Sequence, residues 1–200
     1  MSGHYFDAEP GVADRRATID THVWGRDLAF TTASGVFSRD GLDKATDVLL
    51  RASAPPTQAR TLLDLGCGWG PIACAVAVAS PSTTVWAVDT NERARELTSA
   101  NAEAHGVADR VRVAAPDEVP PDVVFDALWS NPPIRIGKAA LHDLLLTWLP
   151  RLAPDGHARL VVGKNLGADS LQRWLGEQGW PTDRETSQKG FRVLVTRRAS

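Results

Sequence analysis

Leu63-Asp64-Leu65-Gly66-Cys67-Gly68-Trp69-Gly70-Pro71 decides how the chain folds. The apolar run at residues 60–65 has strand composition, and a glycine loop follows it. Pro71 suits the first position of a helix, where a missing N–H is harmless. Ile72, Ala75, Val76 and Ala79 then recur at helical spacing. Glycines between a strand and a helix let a ligand approach the backbone. A dinucleotide site would show G-x-G-x-x-G. Here the third glycine comes one position early and Asp64 precedes the loop. A carboxylate there repels a pyrophosphate and favours an ammonium or sulfonium group. S-adenosylmethionine carries both cations, so spacing and charge favour it over NAD.

Outward from the loop the alternation continues. Residues 83–88 read as a second strand ending at Asp89, and 92–105 as a helix closed by Gly106. Residues 111–113 form a third strand, followed by an acidic, proline-bearing loop at 116–122. Residues 125–130 form a fourth strand. Leu141, Leu144, Leu145 and Trp148 mark a helix that stops before Pro154, and 158–162 a fifth strand. Asp169 and Gln172 read as a helix start, with Leu171, Trp174 and Leu175 as its face. A strand near 183–187 and a last one at 191–196 complete the pattern.

On the N-terminal side, 18–23 and 27–31 alternate polar and apolar around Trp24-Gly25-Arg26, as a hairpin does. Residues 1–16 read as an irregular polar arm and 31–40 as a loop. Leu42, Ala45, Val48, Leu49 and Ala52 give a helix ended by Pro55-Pro56. The whole predicts an α/β fold with a doubly wound, mostly parallel sheet. Residues 1–42 form an N-terminal extension and 43–200 the catalytic domain, together one structural unit.

The chain has 200 residues, 43% hydrophobic and 23% charged, enough for one domain with a continuous core. No apolar run is long enough to cross a membrane, and the N-terminus lacks the basic and apolar regions of a signal peptide. Cys67 and Cys74 form no metal motif and suit a reducing cytoplasm. Net charge is uneven. Residues 1–128 hold 11 Lys+Arg against 18 Asp+Glu, and residues 129–200 hold 11 against 6. The basic C-terminal segment suits a polyanion such as RNA; chance distribution over a folded surface is the alternative.

Ser130-Asn131-Pro132-Pro133-Ile134 ends the fourth strand. Asn-Pro is a common turn signal. At the carboxyl end of a parallel strand it is also a rigid polar clamp, where α/β sheets bind ligands. The Asn131 side-chain carbonyl and the Pro132 backbone carbonyl are two acceptors for a planar amine. They favour methyl transfer to nitrogen by orientation more than by a strong base. The five histidines are scattered and suggest neither a metal site nor a nucleophile with its base. Asp89, with Thr90 beside it, is placed for ribose hydroxyls. Asp117 is placed for an adenine amino group or is a plain loop acid.

These residues resemble a known family. Asp64 to Gly70 looks like the S-adenosylmethionine loop of class I methyltransferases, and Ser130-Asn131-Pro132-Pro133 like their amino-methylating motif. Gly35-Val36-Phe37-Ser38 with Leu42-Asp43, Ile134-Arg135-Ile136-Gly137-Lys138 and Lys189-Gly190-Phe191-Arg192-Val193 resemble single-domain members of the small-domain ribosomal RNA guanine-N2 methyltransferases. The resemblance runs from His4-Tyr5-Phe6 almost to the C-terminus. It implies a seven-stranded sheet with the last strand antiparallel, and a guanine amine of small-subunit ribosomal RNA as substrate.

By this likeness Asn131, Pro132, Pro133 and Ile134 are the catalytic clamp. Asp64, Gly66, Cys67, Gly68, Gly70, Asp89, Thr90, Asp117 and Asn131 hold the cofactor. Phe37, Ser38, Arg135, Lys138, Lys164, Lys189 and Arg192 face the substrate. Two departures stand out. Ile134 occupies a place often held by an aromatic, so base stacking falls to Phe37, unless Phe37 is core. There is also no room for the duplicated RNA-binding domain of some relatives. Other readings are an adenine methyltransferase conferring antibiotic resistance, transfer to a protein glutamine amide or small amine, and a cofactor-binding RNA chaperone without turnover.

Overall fold

The computed structural model describes residues 16–36, 38 and 41–199. Residues 1–15 of the polar arm expected at 1–16, and Phe37, lie outside the described residues, while Arg16 belongs to a strand. β1 (Arg16–Val23) and β2 (Arg26–Ala33) pair antiparallel. Trp24 and Gly25 between them have φ of 52° and 72°. Two positive φ values give the tight turn whose twist matches a hairpin. α1 (Lys44–Ala52) follows, then β3 (Thr61–Leu65), α2 (Pro71–Ala79), β4 (Thr84–Val88), α3 (Glu92–Ala104) and β5 (Val111–Ala114). The second half runs β6 (Phe125–Ser130), α4 (Lys138–Trp148), β7 (Leu152–Gly163), α5 (Ala168–Glu177), β8 (Thr182–Gln188) and β9 (Phe191–Arg197).

The main sheet has seven strands in the order β5-β4-β3-β6-β7-β9-β8. β9 is antiparallel to both its neighbours and the other pairs are parallel. This is the topology that the family resemblance implies. The order reverses between β3 and β6, so their carboxyl ends flank the crevice where such sheets bind ligands. The glycine loop leaves one of these strands and the Asn-Pro-Pro turn leaves the other.

Two apolar cores cover the two faces of the sheet. One joins α1, α2 and α3 to the sheet, and the hairpin enters it through Ile19, Val23, Leu28 and Phe30. The extension is therefore packed into the catalytic unit. Trp24 donates its ring N–H to the Ser53 carbonyl at 2.8 Å and meets Trp129 edge-on at 6.1 Å. The other core joins α4 and α5 to the sheet.

In the second half of the chain two boundaries differ from the sequence expectation. β7 begins at Leu152, although Pro154, Asp155 and Gly156 have loop composition. β9 pairs with β7 only from His157 onward, so Pro154 withholds no N–H from that ladder. α5 is opened by Gly167 at φ 95°, and Asp169 lies one residue inside the helix. Its carboxylate pairs with Arg192 rather than capping the helix.

Candidate active site

The site is assembled by the carboxyl ends of β3, β4 and β6. Ser130 Oγ donates to the Leu65 carbonyl at 2.6 Å, which ties the last residue of β6 to the last of β3. Gly66 and Asn131 are thus the next residues of two laced strands. The Gly66 and Cys67 N–H groups donate to the Val88 carbonyl at 2.8 and 3.0 Å, which pulls the loop against β4. Gly66, Gly68 and Gly70 all have positive φ, 77°, 58° and 85°. A Cβ at Gly66 or Gly68 would meet nothing within 4 Å, so this side of the loop is open. A Cβ at Gly70 would lie 2.9 Å from the Thr98 side chain. Gly70 is therefore small because α3 packs against it, which corrects the expectation that its bare backbone faces the cofactor.

The Cys67 side chain also points inward, 3.6 Å from Thr98 Oγ1, and burial holds its thiol well above the usual range. Only its backbone remains for a ligand. Cys74 is similar, buried and pushed up to about 12.

Asp64 corrects a second expectation. It is fully buried, with no open carboxylate facing a ligand. Its Oδ2 accepts from the Ala73 N–H at 2.9 Å and steadies the first turn of α2. Its Oδ1 is buried without a hydrogen-bond partner. Burial pushes the carboxyl up to about 8, with the nearby Asp89 charge adding to it. Asp64 is thus largely neutral near pH 7. In the unfolded chain it ionises near 3.8, so between about pH 4 and 8 the folded state holds the extra proton. Stability then falls as pH rises through that window and levels off above it. The Asp64→Asn protein should melt roughly 5 °C above wild type at pH 8, and together with it at pH 4, by scanning calorimetry.

Asp89 stands at the end of β4. One of its oxygens accepts from the Gly68 N–H at 2.9 Å and the other from the Asn91 N–H at 2.9 Å. Burial raises its pKa, while those N–H groups and Arg95 pull the other way. It positions the loop and keeps lone pairs for a ligand. Thr90 is exposed beside it. Asp117 is exposed on a single helical turn after β5, along the same edge of the sheet.

The clamp is held from behind. Asn131 Nδ2 donates to Asp43 Oδ2 at 2.9 Å and to Thr46 Oγ1 at 3.1 Å. Both lie at the N-terminus of α1, where Asp43 also caps the helix. Pro133 has φ −73° and ψ 73°, the inverse γ-turn, and the Ile134 N–H donates to the Pro132 carbonyl at 2.8 Å. The Pro132 acceptor is therefore partly engaged, with one lone pair left. Ile134 is half-buried and packs on the second core.

Of the expected substrate residues, Arg135, Lys138 and Lys164 are exposed, and none pairs with a carboxylate among the described residues. Lys189 is exposed but bonded to Asp47 Oδ2 at 2.9 Å. Arg192 is 8% exposed and pairs with Asp169 between β9 and α5. It is a structural cation, which corrects its placement on the RNA face. Ser38 turns its hydroxyl into its own loop, onto the Gly41 carbonyl. Asp43, Thr46, Asn91 and Thr98 were not marked as site residues by the sequence. Only Asp43 and Asn91 had a local signal there, a cap residue just ahead of a helix.

The residues fit S-adenosylmethionine. The loop is open at Gly66 and Gly68, and Asp89, bonded to the Gly68 N–H, keeps lone pairs beside it for a ligand. Fold and site define a class I methyltransferase that uses S-adenosylmethionine. A family model described as methyltransferase small domain matches residues 27–194, and the chain belongs to that family.

The uncharacterized protein YbxB of Bacillus subtilis is 31% identical over 201 residues, covering 99% of this chain and all of that one. Ribosomal RNA small subunit methyltransferase C of Cronobacter sakazakii is 38% identical over 147 residues, covering 70% of this chain and 42% of that protein. The solved Thermus thermophilus (T. thermophilus) 16S rRNA N2 G1207 methyltransferase, in complex with AdoMet and guanosine, superposes with a TM-score of 0.75. Its identity is 21%, over 96% of this chain and 53% of that one. The chain spans about half the length of the ribosomal RNA methyltransferases it matches. No helix among the described residues is long and apolar enough to cross a membrane.

Proposed function

We propose that the chain methylates an exocyclic amino group of a base in small-subunit ribosomal RNA, with guanine N2 as the target. The observation that carries this is the orientation of Asn131. With Nδ2 committed to Asp43 and Thr46, the amide can offer a ligand only its oxygen. An oxygen acceptor beside the remaining lone pair of Pro132 selects a group with N–H donors. The ribosomal RNA methyltransferases among the relatives support the choice of substrate, and a ribosomal substrate places the work in the cytoplasm.

In this reading Gly66, Gly68, Asp89 and Thr90 hold the cofactor, with Asp117 toward the adenine. When bound, S-adenosylmethionine would supply an electrophilic sulfonium methyl group for the amine nitrogen, which would lose a proton to water on methylation. Asn131 and Pro132 hold two N–H bonds so that the lone pair is directed at the methyl group. They also take up the positive charge that develops on nitrogen. Ile134 gives an apolar contact without ring stacking.

The test is transfer of labelled methyl from S-adenosylmethionine to naked 16S rRNA, to small subunits and to glutamine peptides. Label in guanosine of either RNA form supports the reading. Label in adenosine moves the chemistry to another amine, and label only in peptide overturns the RNA assignment. Arg135 and Lys138 flank the clamp and are expected to contact phosphates. Arg135→Ala and Lys138→Ala should each lower the slope of log K against log salt by about 1. Arg192→Ala should leave that slope unchanged and lower the melting temperature, because it removes a buried side chain and its pair with Asp169. Fluorescence anisotropy over a salt series measures the slope.

A further inference from the structure

We infer that Asp43 is a positioning residue for methyl transfer, fixing the Asn131 amide and increasing the negative charge on its oxygen. This rests on the reading that Asn131 holds the substrate amine.

The two residues lie 88 apart in sequence and meet at 2.9 Å. A carboxylate accepts hydrogen bonds and donates none, so a flipped Asn131 would set oxygen against oxygen. Thr46 Oγ1 takes the second Nδ2 proton at 3.1 Å, and Thr46 is only 4% exposed. The carboxylate is itself anchored: Asp43 Oδ2 accepts from the Ala45 and Thr46 N–H groups at 2.7 and 3.2 Å. The amide therefore rests on the capped end of a helix.

The chemical consequence runs through the amide plane. An anionic acceptor on Nδ2 polarises the group and leaves Oδ1 a stronger acceptor. The acceptor amine gains positive charge as its lone pair bonds the methyl carbon. Its N–H bonds become better donors at that point, so the contact to a polarised Oδ1 strengthens more in the transition state than in the ground state. An effect on kcat, not on cofactor affinity, is the signature.

Asp43→Asn separates this from simple capping. Asn caps a helix about as well as Asp, but it removes the negative charge and can donate as well as accept. The full chain is assayed with small-subunit rRNA at saturating cofactor. Asp43→Asn should lower kcat roughly 10- to 100-fold, with cofactor Kd and melting temperature close to wild type. Thr46→Val should lower kcat by less. In an Asn131→Ala background, Asp43→Asn should have almost no further effect, because its route is then gone.

A second arm needs no turnover. The Asn131 side-chain amide protons, followed by nitrogen–proton NMR, should shift on Asp43→Asn. The proposal is overturned by a kcat within twofold of wild type, by an equal loss in the Asn131→Ala background, or by unmoved amide resonances. If Asp43→Asn loses its fold, Thr46→Val and its amide shift decide by the same criteria. If wild type methylates no RNA, the proposed function fails, while the NMR arm still decides whether Asp43 fixes Asn131.

Discussion

Asn131→Ala is expected to lower kcat for methyl transfer about 100- to 1000-fold, the range seen when one positioned donor or acceptor is removed from a reacting centre. The same change should leave S-adenosylmethionine affinity within about threefold, because the loop and Asp89 are bound to β3 and β4 and remain in place. Stability should fall by about 1 kcal/mol, the ordinary value of the hydrogen bonding removed. Asp43 keeps its bonds to the Ala45 and Thr46 N–H groups, so α1 stays capped. Single-turnover transfer of labelled methyl, cofactor titration by calorimetry and a thermal melt together check this. A large loss of cofactor binding with unchanged single-turnover rate would place Asn131 in the cofactor pocket alone.

The second large effect separates glycines that look alike in sequence. Gly70→Ala puts a Cβ 2.9 Å from the Thr98 side chain and 3.2 Å from its Cα, on a backbone at φ 85°. Overpacking and left-handed strain together should cost about 2–4 kcal/mol. For a chain of this size that is a fall of roughly 5–15 °C in melting temperature. Gly68→Ala carries only the backbone strain, about 1–2 kcal/mol, because its Cβ points into open space. That space is where the cofactor is expected. Gly68→Ala should therefore lose more than tenfold in S-adenosylmethionine affinity while Gly70→Ala, once folded at low temperature, loses less. Melting curves and cofactor titrations on the two variants read both effects, and the reverse order of affinities would exchange the roles given to the two glycines.

Much of this was legible in the sequence, for local reasons. The strand-loop-helix unit at Gly66 to Pro71 and the βα alternation follow from apolar runs and from glycine and proline chemistry, which act within a few residues. The Asn131 turn could be placed at a strand end for the same reason. What escaped depends on which distant groups meet. Arg192 has the composition of a surface cation, yet it is buried because Asp169 on α5 neutralises it. Asp64 reads as a charge beside the loop, but its place on a central strand buries it and favours the neutral acid. Asp43 stands in the family-like Leu42-Asp43 pair just ahead of a helix, but its bond to Asn131 depends on how α1 docks at the end of β6. The early part of β7 escaped because Pro154 and Gly156 signal a turn, and residues 153–156 do bulge out of the ladder between the Leu152 and His157 pairings with β6.

The central claim is that Asn131 presents a ribosomal RNA amine for methylation. Its most direct test is nucleoside mass spectrometry of 16S rRNA from cells with the protein, without it, and complemented with wild type or Asn131→Ala. The account predicts that N2-methylguanosine falls by one residue per 16S rRNA without the protein. Wild type restores it and Asn131→Ala does not. An unchanged N2-methylguanosine content, or full restoration by Asn131→Ala, would contradict it.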